Sequence, residues 1–241
     1  KNYIRSEPLG IVLAIMPWNF PFWQVIRFAA PALMAGNVGL FKHASNVQGS
    51  AAAIERIFTE AGFPQGLLTN LAISSSRIAA IIQDSRIKAV TLTGSEKAGS
   101  EVAAVAGKEI KKTVLELGGS DPFIVLPDAD LAKAVATATA ARMQFNAGQS
   151  CLAAKRFIIH ESVVDEFSKL LTESVSKLIV GDPLDPNTHV GPLAGAQMVA
   201  DVQQQVVKSV AKGAQVLIGG ARPDMKGCFY LPTVLTNVAK G

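Results

Sequence analysis

A lone cysteine follows small, polar residues in the second half of the chain. Cys151 ends the segment Phe145-Asn146-Ala147-Gly148-Gln149-Ser150-Cys151, directly after a long alanine-rich stretch. A thiol becomes a nucleophile when it is partly exposed and close to donors or positive dipoles that lower its pKa, and glycine, glutamine and serine supply backbone freedom and donors of that kind. The segment therefore predicts a nucleophilic thiol at Cys151. The competing interpretation is a small buried hydrophobic residue.

A candidate oxyanion donor lies much earlier in the chain. Asn19 is part of Pro17-Trp18-Asn19-Phe20-Pro21, a loop stiffened by two prolines after a predicted strand. A side-chain amide held rigidly at the carboxyl edge of an open sheet can donate to an oxyanion. The alternative is an asparagine that caps the helix after the loop.

A candidate general base precedes a pair of glycines. Glu116 is flanked by Leu115 and Leu117 in what we expect to be a buried strand, just before Gly118-Gly119. Burial would raise the pKa of a carboxylate and suit it to base catalysis near neutral pH. The alternative is a glutamate on the solvent face of an edge strand.

Weaker signals indicate a phosphate-bearing cofactor. Lys42 ends a predicted strand, where an ammonium group can reach a ribose hydroxyl or a phosphate, although a solvated lysine is also common there. Gly94-Ser95 joins a strand to a helix and offers free backbone N–H groups to a diphosphate. No Gly-x-Gly-x-x-Gly follows a strand, so the usual dinucleotide fingerprint gives no support.

Composition limits the class of protein. The 241 residues are 49% hydrophobic and 17% charged, which is typical of a well-packed α/β protein rather than a disordered chain. The net charge of +4 is spread out, so we expect no nucleic-acid partner. Prolines interrupt the most apolar stretch, so we expect no membrane span. The two cysteines make no disulfide framework, which suits the reducing cytoplasm.

The elements that must position these residues alternate along the chain. Short β-branched runs and longer amphipathic stretches predict four strand–helix repeats and a doubly wound, Rossmann-like parallel sheet. The double glycine changes this pattern. We therefore predict a partial cofactor-binding domain over 1–114 and a partial α/β catalytic domain carrying the cysteine over 115–241. In the second domain we expect one helix from Asp130 to about Met143, leading into the Cys151 segment.

Taken together, the motifs resemble one family. Five of them occur in the order and approximate spacing of the aldehyde dehydrogenases: Pro17-Trp18-Asn19-Phe20-Pro21, Lys42-x-x-Ser45, Leu92-Thr93-Gly94-Ser95, Leu115-Glu116-Leu117-Gly118-Gly119 and Asn146-x-Gly148-Gln149-x-Cys151. Within that family, the runs 10–17 and 117–126 are most similar to bacterial succinate-semialdehyde dehydrogenases.

The resemblance implies a role for each matched residue. Cys151 would attack the aldehyde to form a thiohemiacetal, Asn19 with the Cys151 backbone N–H would bind the oxyanion, and Glu116 would activate the water that hydrolyses the thioester. The positions that match the family's cofactor contacts are Pro17, Trp18, Lys42, Ser45, Gly94 and Ser95. The resemblance implies no metal, and it implies a homo-oligomer, a dimer or tetramer, for the parent enzyme.

Two matched positions indicate specificity. Family members with a glutamate at the position of Ser45 use it to bind the ribose hydroxyls of NAD. A serine there removes a charge that would repel a 2′-phosphate, so the cofactor is expected to be NADP or NAD, with NADP accepted or preferred. Arg27 matches an arginine of succinate-semialdehyde enzymes and could bind the distal carboxylate of the substrate. The alternative for Arg27 is a solvated helix face.

Some features depart from the family pattern. His43 replaces the commoner proline after Lys42, and Ser74-Ser75-Ser76 replaces a turn that contains glycine or proline. The family's Glu-x-Phe-Gly-Pro segment, whose glutamate holds the nicotinamide ribose, does not occur in the chain. Two hypotheses follow: a semialdehyde dehydrogenase of which this is the central piece, or an inactive fragment or non-catalytic nucleotide-binding remnant. A cysteine hydrolase is disfavoured because no histidine lies in a motif near Cys151.

Overall fold

The structure, a computed structural model, describes residues 2–5 and 7–238. Contacts between Cα atoms divide the chain into two compact units, Lys1–Gly118 and Gly119–Gly241. The boundary predicted after Val114 falls inside a strand whose whole length pairs with its neighbour in the first unit. The units therefore divide after Gly118, at the double glycine.

A parallel sheet forms the centre of the first unit. Its strands are β1 Ile11–Met16, β2 Val38–His43, β3 Leu68–Asn70, β4 Ile87–Gly94 and β5 Lys112–Leu117. They lie in the order β3-β2-β1-β4-β5, and every neighbouring pair is parallel. The predicted doubly wound parallel sheet is confirmed.

Helices cover both faces of this sheet. They are α1 Pro21–Met34, α2 Gln48–Glu60, α3 Ile78–Gln83 and α4 Glu96–Lys108. Alternate residues of β1 serve the two faces: Leu13 belongs to the apolar cluster with α3 and α4, and Ala14 belongs to the cluster with α1 and α2. Such alternation is the period-2 pattern of a strand buried on both sides.

The chain reverses its direction across the sheet beside β1. From β1 it winds outward to β2 and β3, and it then returns to place β4 and β5 on the opposite side. The connections that follow β1 and β4 consequently diverge to opposite faces and leave a crevice at the carboxyl ends of these two strands. Ligands of open α/β sheets bind at such a switch point.

Strand β5 differs from its prediction. It lies at the edge of the sheet, and its exposure alternates along its length, with Val114 60% exposed. The expectation of a buried strand around Glu116 is therefore wrong. The leucines beside the glutamate point to one face of the sheet, where Leu115 and Leu117 pack on the core, and the glutamate points to the other.

In the second unit, the described residues 119–238 form two small sheets and three α-helices. Strands β6 Pro122–Val125 and β7 Arg156–Ile159 are parallel, whereas β8 Gln215–Ile218 and β9 Val234–Thr236 are antiparallel. The helices are α5 Leu131–Thr139, α6 Val164–Ser176 and α7 Ala196–Ala211. The core around Phe167 joins α5 and α6 to both sheets.

The helix predicted from Asp130 to Met143 is interrupted. Asp130 caps it by accepting a hydrogen bond from the Lys133 backbone N–H (3.1 Å), but regular α-helix ends at Thr139. A π-helical turn, Ala140–Gln144, and a tight turn, Phe145–Gly148, follow it. Within the described residues, no helix combines the length and apolarity needed to cross a bilayer.

Candidate active site

The carboxyl edge of the first unit's sheet collects most of the predicted site residues. Asn19 follows β1, Lys42 lies near the end of β2, Ser95 follows β4 and Glu116 lies near the end of β5. Because all five strands are parallel, these ends lie on one edge of the sheet. The structure thus brings four residues together that are spread over much of the first unit's sequence.

The two faces of the sheet separate the candidate roles. Ile15 pairs with Lys42 on one side and with Leu92 on the other, so these three side chains share the face covered by α3 and α4. Thr93 pairs with Glu116, and both line a cavity on the opposite face, beside α1. The side chains of Lys42 and Glu116 therefore lie on opposite faces of the sheet.

A cavity of about 170 Å³ lies beside Lys42, between α3 and α4. Its walls include the apolar side chains of Ile15, Ile78 and Leu92, and Ser75 also lines it. An apolar slot beside an ammonium group and a hydroxyl fits a flat aromatic base joined to a phosphate-bearing ribose. Ser75 was missed as a candidate from sequence, although the unusual Ser74-Ser75-Ser76 run was its signal.

The loop after β4 is built around a helix cap. Ser95 is the N-cap of α4, and its Oγ accepts a hydrogen bond from the Ala98 backbone N–H (3.2 Å). Glu96 in the first turn and Lys108 in the last complement the helix dipole. The Ser95 hydroxyl oxygen already accepts the hydrogen bond that caps α4. A ligand that contacts this oxygen would therefore share it with the Ala98 N–H.

On the other face, a cavity of about 380 Å³ is lined by an ion pair between two predicted site residues. Arg27 Nη2 of α1 lies 2.8 Å from Glu116 Oε1 of β5. The two side chains are 47% and 48% exposed, so water reaches both groups. The buried carboxylate expected at Glu116 is thus corrected to a half-exposed one held by a guanidinium.

The nucleophile candidate lies in the second unit, after an unusual turn. Asn146 and Ala147 have φ values of 52° and 51°, and Gly148 follows with 73°. A Cβ atom on Gly148 would clash with the backbone oxygen of Arg142, so only glycine fits there. Three successive left-handed residues fold the chain back sharply just before Cys151.

Side chains fix this turn. Arg142 Nη1 donates to the Gly148 carbonyl oxygen (3.2 Å), and burial lowers the pKa of this guanidinium. Gln149 donates to the Asn146 carbonyl oxygen (3.1 Å) and accepts from the Ala194 N–H (2.9 Å). These contacts were missed from sequence, since the residues that make them lie on other elements or look like ordinary polar loop residues.

Cys151 itself is a free, partly exposed thiol. The preceding Ser150 is buried, and its Oγ accepts a hydrogen bond from the Leu152 N–H (3.2 Å). Lys155 donates to the Cys151 carbonyl oxygen (3.4 Å). Ser150 is thus buried, whereas Cys151, for which the alternative was a small buried residue, is partly exposed.

The doubly wound sheet, its switch point and the cavity beside Lys42 are typical of α/β folds that bind nucleotides. The sequence places the chain more narrowly. It belongs to the aldehyde dehydrogenase family, whose profile matches residues 1–241.

Particular relatives are similar over the whole chain. An NADP(+) succinate-semialdehyde dehydrogenase of Mycobacterium leprae is 57% identical over 240 residues, which cover 100% of this chain and 52% of that protein. The solved succinic semialdehyde dehydrogenase of Streptococcus pyogenes, in complex with NADP+, is 42% identical with a TM-score of 0.93, over 95% of this chain and 50% of that one.

A more distant relative binds the other cofactor. A mutant of aldehyde dehydrogenase C from Pseudomonas syringae, in complex with NAD+ and octanal, is 32% identical with a TM-score of 0.93, over 97% of this chain and 49% of its own. The chain therefore spans about half the length of the relatives that it matches.

Proposed function

We propose that the protein oxidises succinate semialdehyde to succinate with NADP, through a covalent intermediate on Cys151. The observation that carries this proposal is the Arg27–Glu116 ion pair of 2.8 Å. It places a guanidinium, the group best suited to bind a carboxylate, in the same cavity as the candidate base. A substrate with an aldehyde at one end and a carboxylate at the other matches that combination.

The residues would act in sequence on the aldehyde carbon. The Cys151 thiolate adds to this carbon, and the electron pair of the C=O bond moves to oxygen, which the Asn19 amide stabilises. Bound nicotinamide supplies the hydride acceptor. Loss of hydride leaves a thioester on Cys151. Glu116 then takes a proton from water, the water oxygen attacks the thioester, and cleavage of the C–S bond releases succinate and the thiolate.

Arg27 would exchange partners during this cycle. In the free protein its guanidinium is bound to Glu116. The distal carboxylate of the substrate competes for the same donors, and a Glu116 side chain released from the pair is free to accept a proton from water. Substrate binding would thus prepare the base for the hydrolytic step.

The proposed cofactor is NADP. The cavity beside Lys42 supports it, as does the serine at position 45, which brings no negative charge toward a 2′-phosphate. The relatives from Mycobacterium leprae and Streptococcus pyogenes are named for NADP(+) or contain NADP+. We expect kcat/KM with NADP to equal or exceed that with NAD, and a tenfold preference for NAD would contradict the proposal.

Rapid mixing tests the chemistry directly. The purified protein, NADP and succinate semialdehyde should give a burst of NADPH stoichiometric with Cys151, and Cys151→Ala should give none while still binding NADP. NADP binding without a burst from the wild-type protein would instead support the alternative, a non-catalytic nucleotide-binding remnant. Fluorescence of bound NADPH measures the binding separately from the chemistry.

A further inference from the structure

A buried histidine contacts the segment that carries Asn19. His43 is the last residue of β2, its side chain is fully buried, and it plays no part in the chemistry proposed above. Its Nε2 lies 2.8 Å from the Pro21 carbonyl oxygen. Its Nδ1 accepts a hydrogen bond from the Ala44 backbone N–H (3.0 Å). Both ring nitrogens are therefore engaged.

The Pro21 carbonyl partner determines the role of Nε2. A carbonyl oxygen can only accept, so Nε2 must be protonated to bond Pro21. The ring therefore directs an Nε2–H donor at the Pro17–Pro21 segment. Nδ1 lies close to the carbonyl oxygen of Met16, directly before that segment (3.3 Å).

These contacts hold the Pro17–Pro21 segment at both of its ends. At the entry, the Met16 carbonyl oxygen accepts from the Ala44 N–H (3.0 Å), and at the exit the Pro21 carbonyl oxygen accepts from His43. Pro17 and Pro21 have no backbone N–H to donate, and carbonyl groups make these two anchoring contacts instead. Asn19 lies midway between the two anchors.

Apolar packing alone does not require a histidine at this position. The ring is fully buried and lies edge-on to Phe41, a member of an apolar core cluster, at a centroid distance of 6.4 Å. Burying an imidazole there costs desolvation that only satisfied hydrogen bonds offset. A polar group paired on both sides in such a place fixes one geometry more strictly than an apolar residue would.

We propose that His43 is a positioning residue: its Nε2–H···O bond to Pro21 fixes the segment that presents the Asn19 amide to the oxyanion. The consequence for catalysis rests on the proposed function, whereas the positioning of the segment does not. Two near-isosteric substitutions test the bond. In His43→Gln the amide nitrogen can take the place of Nε2, whereas in His43→Asn the amide can reach only the place of Nδ1.

The test compares His43→Gln with His43→Asn in the purified protein. The sequence contains two tryptophans, Trp18 inside the segment and Trp23, which is 63% exposed on α1. Protein labelled with fluorotryptophan therefore gives one reporter signal and one internal control by 19F NMR. Ile54→Ala, in the core cluster that contains Phe41 and without a hydrogen bond to the segment, controls for lost stability.

We expect His43→Gln to keep the Trp18 resonance and a burst rate within about twofold of wild type. His43→Asn should shift or broaden the Trp18 resonance, leave that of Trp23 in place and slow the burst roughly tenfold or more, with little change in the KM for NADP. Ile54→Ala should lower the melting temperature without the change at Trp18.

The proposal is overturned if His43→Asn leaves Trp18 unchanged, or if both His43 variants change it equally and only as far as Ile54→Ala does. The last result would mean that His43 contributes to core packing and does not position the segment. If the wild-type protein shows no burst at all, the proposed function fails, and the Trp18 resonances of the variants still decide whether His43 holds the segment.

Discussion

The guanidinium of Arg27 can bind either Glu116 or the distal carboxylate of the substrate, and these two carboxylates compete for it. In the free protein its Nη2 is bound to Glu116, and each partner is about half exposed. An exposed ion pair of this kind contributes little to folding, because solvent screens it. The role of the pair is chemical, because it keeps the Arg27 cation in the cavity, where an incoming anion can replace Glu116 as its partner.

Replacing Arg27 by alanine should therefore affect specificity more than stability. We expect kcat/KM for succinate semialdehyde to fall roughly ten- to hundredfold, since a hydrogen bond to a charged group is worth about 1.5–3 kcal/mol, while kcat/KM for butanal changes little. Steady-state assays on both aldehydes measure the difference. Arg56→Ala is the matched control, because Arg56 pairs with Glu60 on the exposed side of α2. Equal losses on both aldehydes would exclude the carboxylate role.

Sequence reasoning could select Arg27 and Glu116 separately but could not pair them. They are 89 residues apart, and their contact depends on the place of β5 beside β4 and on the packing of α1. The same limit explains the error at Glu116. Two flanking leucines indicate a buried strand, yet on an edge strand alternate side chains face opposite ways, so the leucines pack inward while the glutamate does not.

At the scale of elements, the turn before Cys151 is the least regular piece of the fold. Ala147 adopts a left-handed conformation that costs an L-residue about 1–2 kcal/mol. Such strain persists only where surrounding contacts impose it, and here the contacts of Arg142 and Gln149 do so. Strand and helix patterns predicted most elements of the chain, but no periodicity signals consecutive left-handed residues.

Opposite substitutions at neighbouring positions test this turn. Ala147→Gly should stabilise the protein by about 1 kcal/mol by removing the steric cost at a positive φ. Gly148→Ala should destabilise it by about 1–3 kcal/mol and slow the NADPH burst, because the new methyl group meets the Arg142 carbonyl oxygen. Urea unfolding and burst kinetics measure both. Gly107→Ala is the control. Gly107 lies at an exposed position of α4 with open space around it, so this substitution should be neutral or stabilising.

The turn between α3 and β4 gives a pH-dependent contribution to stability. Hydrogen bonds from the side chain and the backbone N–H of Arg86 hold the pKa of Asp84 well below its usual range. Because the folded-state pKa is depressed, the stabilisation is complete above the unfolded-state pKa of about 3.9 and is lost as pH falls through the folded-state value.

Asp84→Asn should therefore lower the melting temperature at pH 7. The gap between variant and wild type should close as the pH falls below about 4, where the carboxylate takes up a proton in the unfolded state while it is still ionised in the folded state. Thermal scans from pH 7 to pH 2 measure this gap. The turn lies at the amino end of β4, away from the carboxyl edge, so the burst rate at pH 7 should not change. A gap that is constant with pH would contradict the assignment.

At the scale of the whole molecule, the two units differ in how they cover their sheets. Helices lie on both faces of the five-stranded sheet. In the small β6–β7 sheet, Phe123 and Phe157 pack against the core, but the neighbouring pair Ile124 and Ile158 are 62% and 50% exposed. Paired, exposed isoleucines on a strand surface favour association with another apolar surface.

We therefore expect the purified 25.3 kDa chain to self-associate through this face. The double substitution Ile124→Thr with Ile158→Thr keeps β-branched side chains in both strands while adding a hydroxyl to each, so it should preserve the fold and shift the mass toward the monomer. Size-exclusion chromatography with light scattering over a concentration series measures this shift. Leu184→Thr is the control. It changes a leucine that is 89% exposed in a loop, so it should leave the mass distribution unchanged.

If the double variant associates as strongly as wild type, the contact lies on a different surface. The edge strand β5, with Val114 60% exposed, then becomes the next surface to substitute.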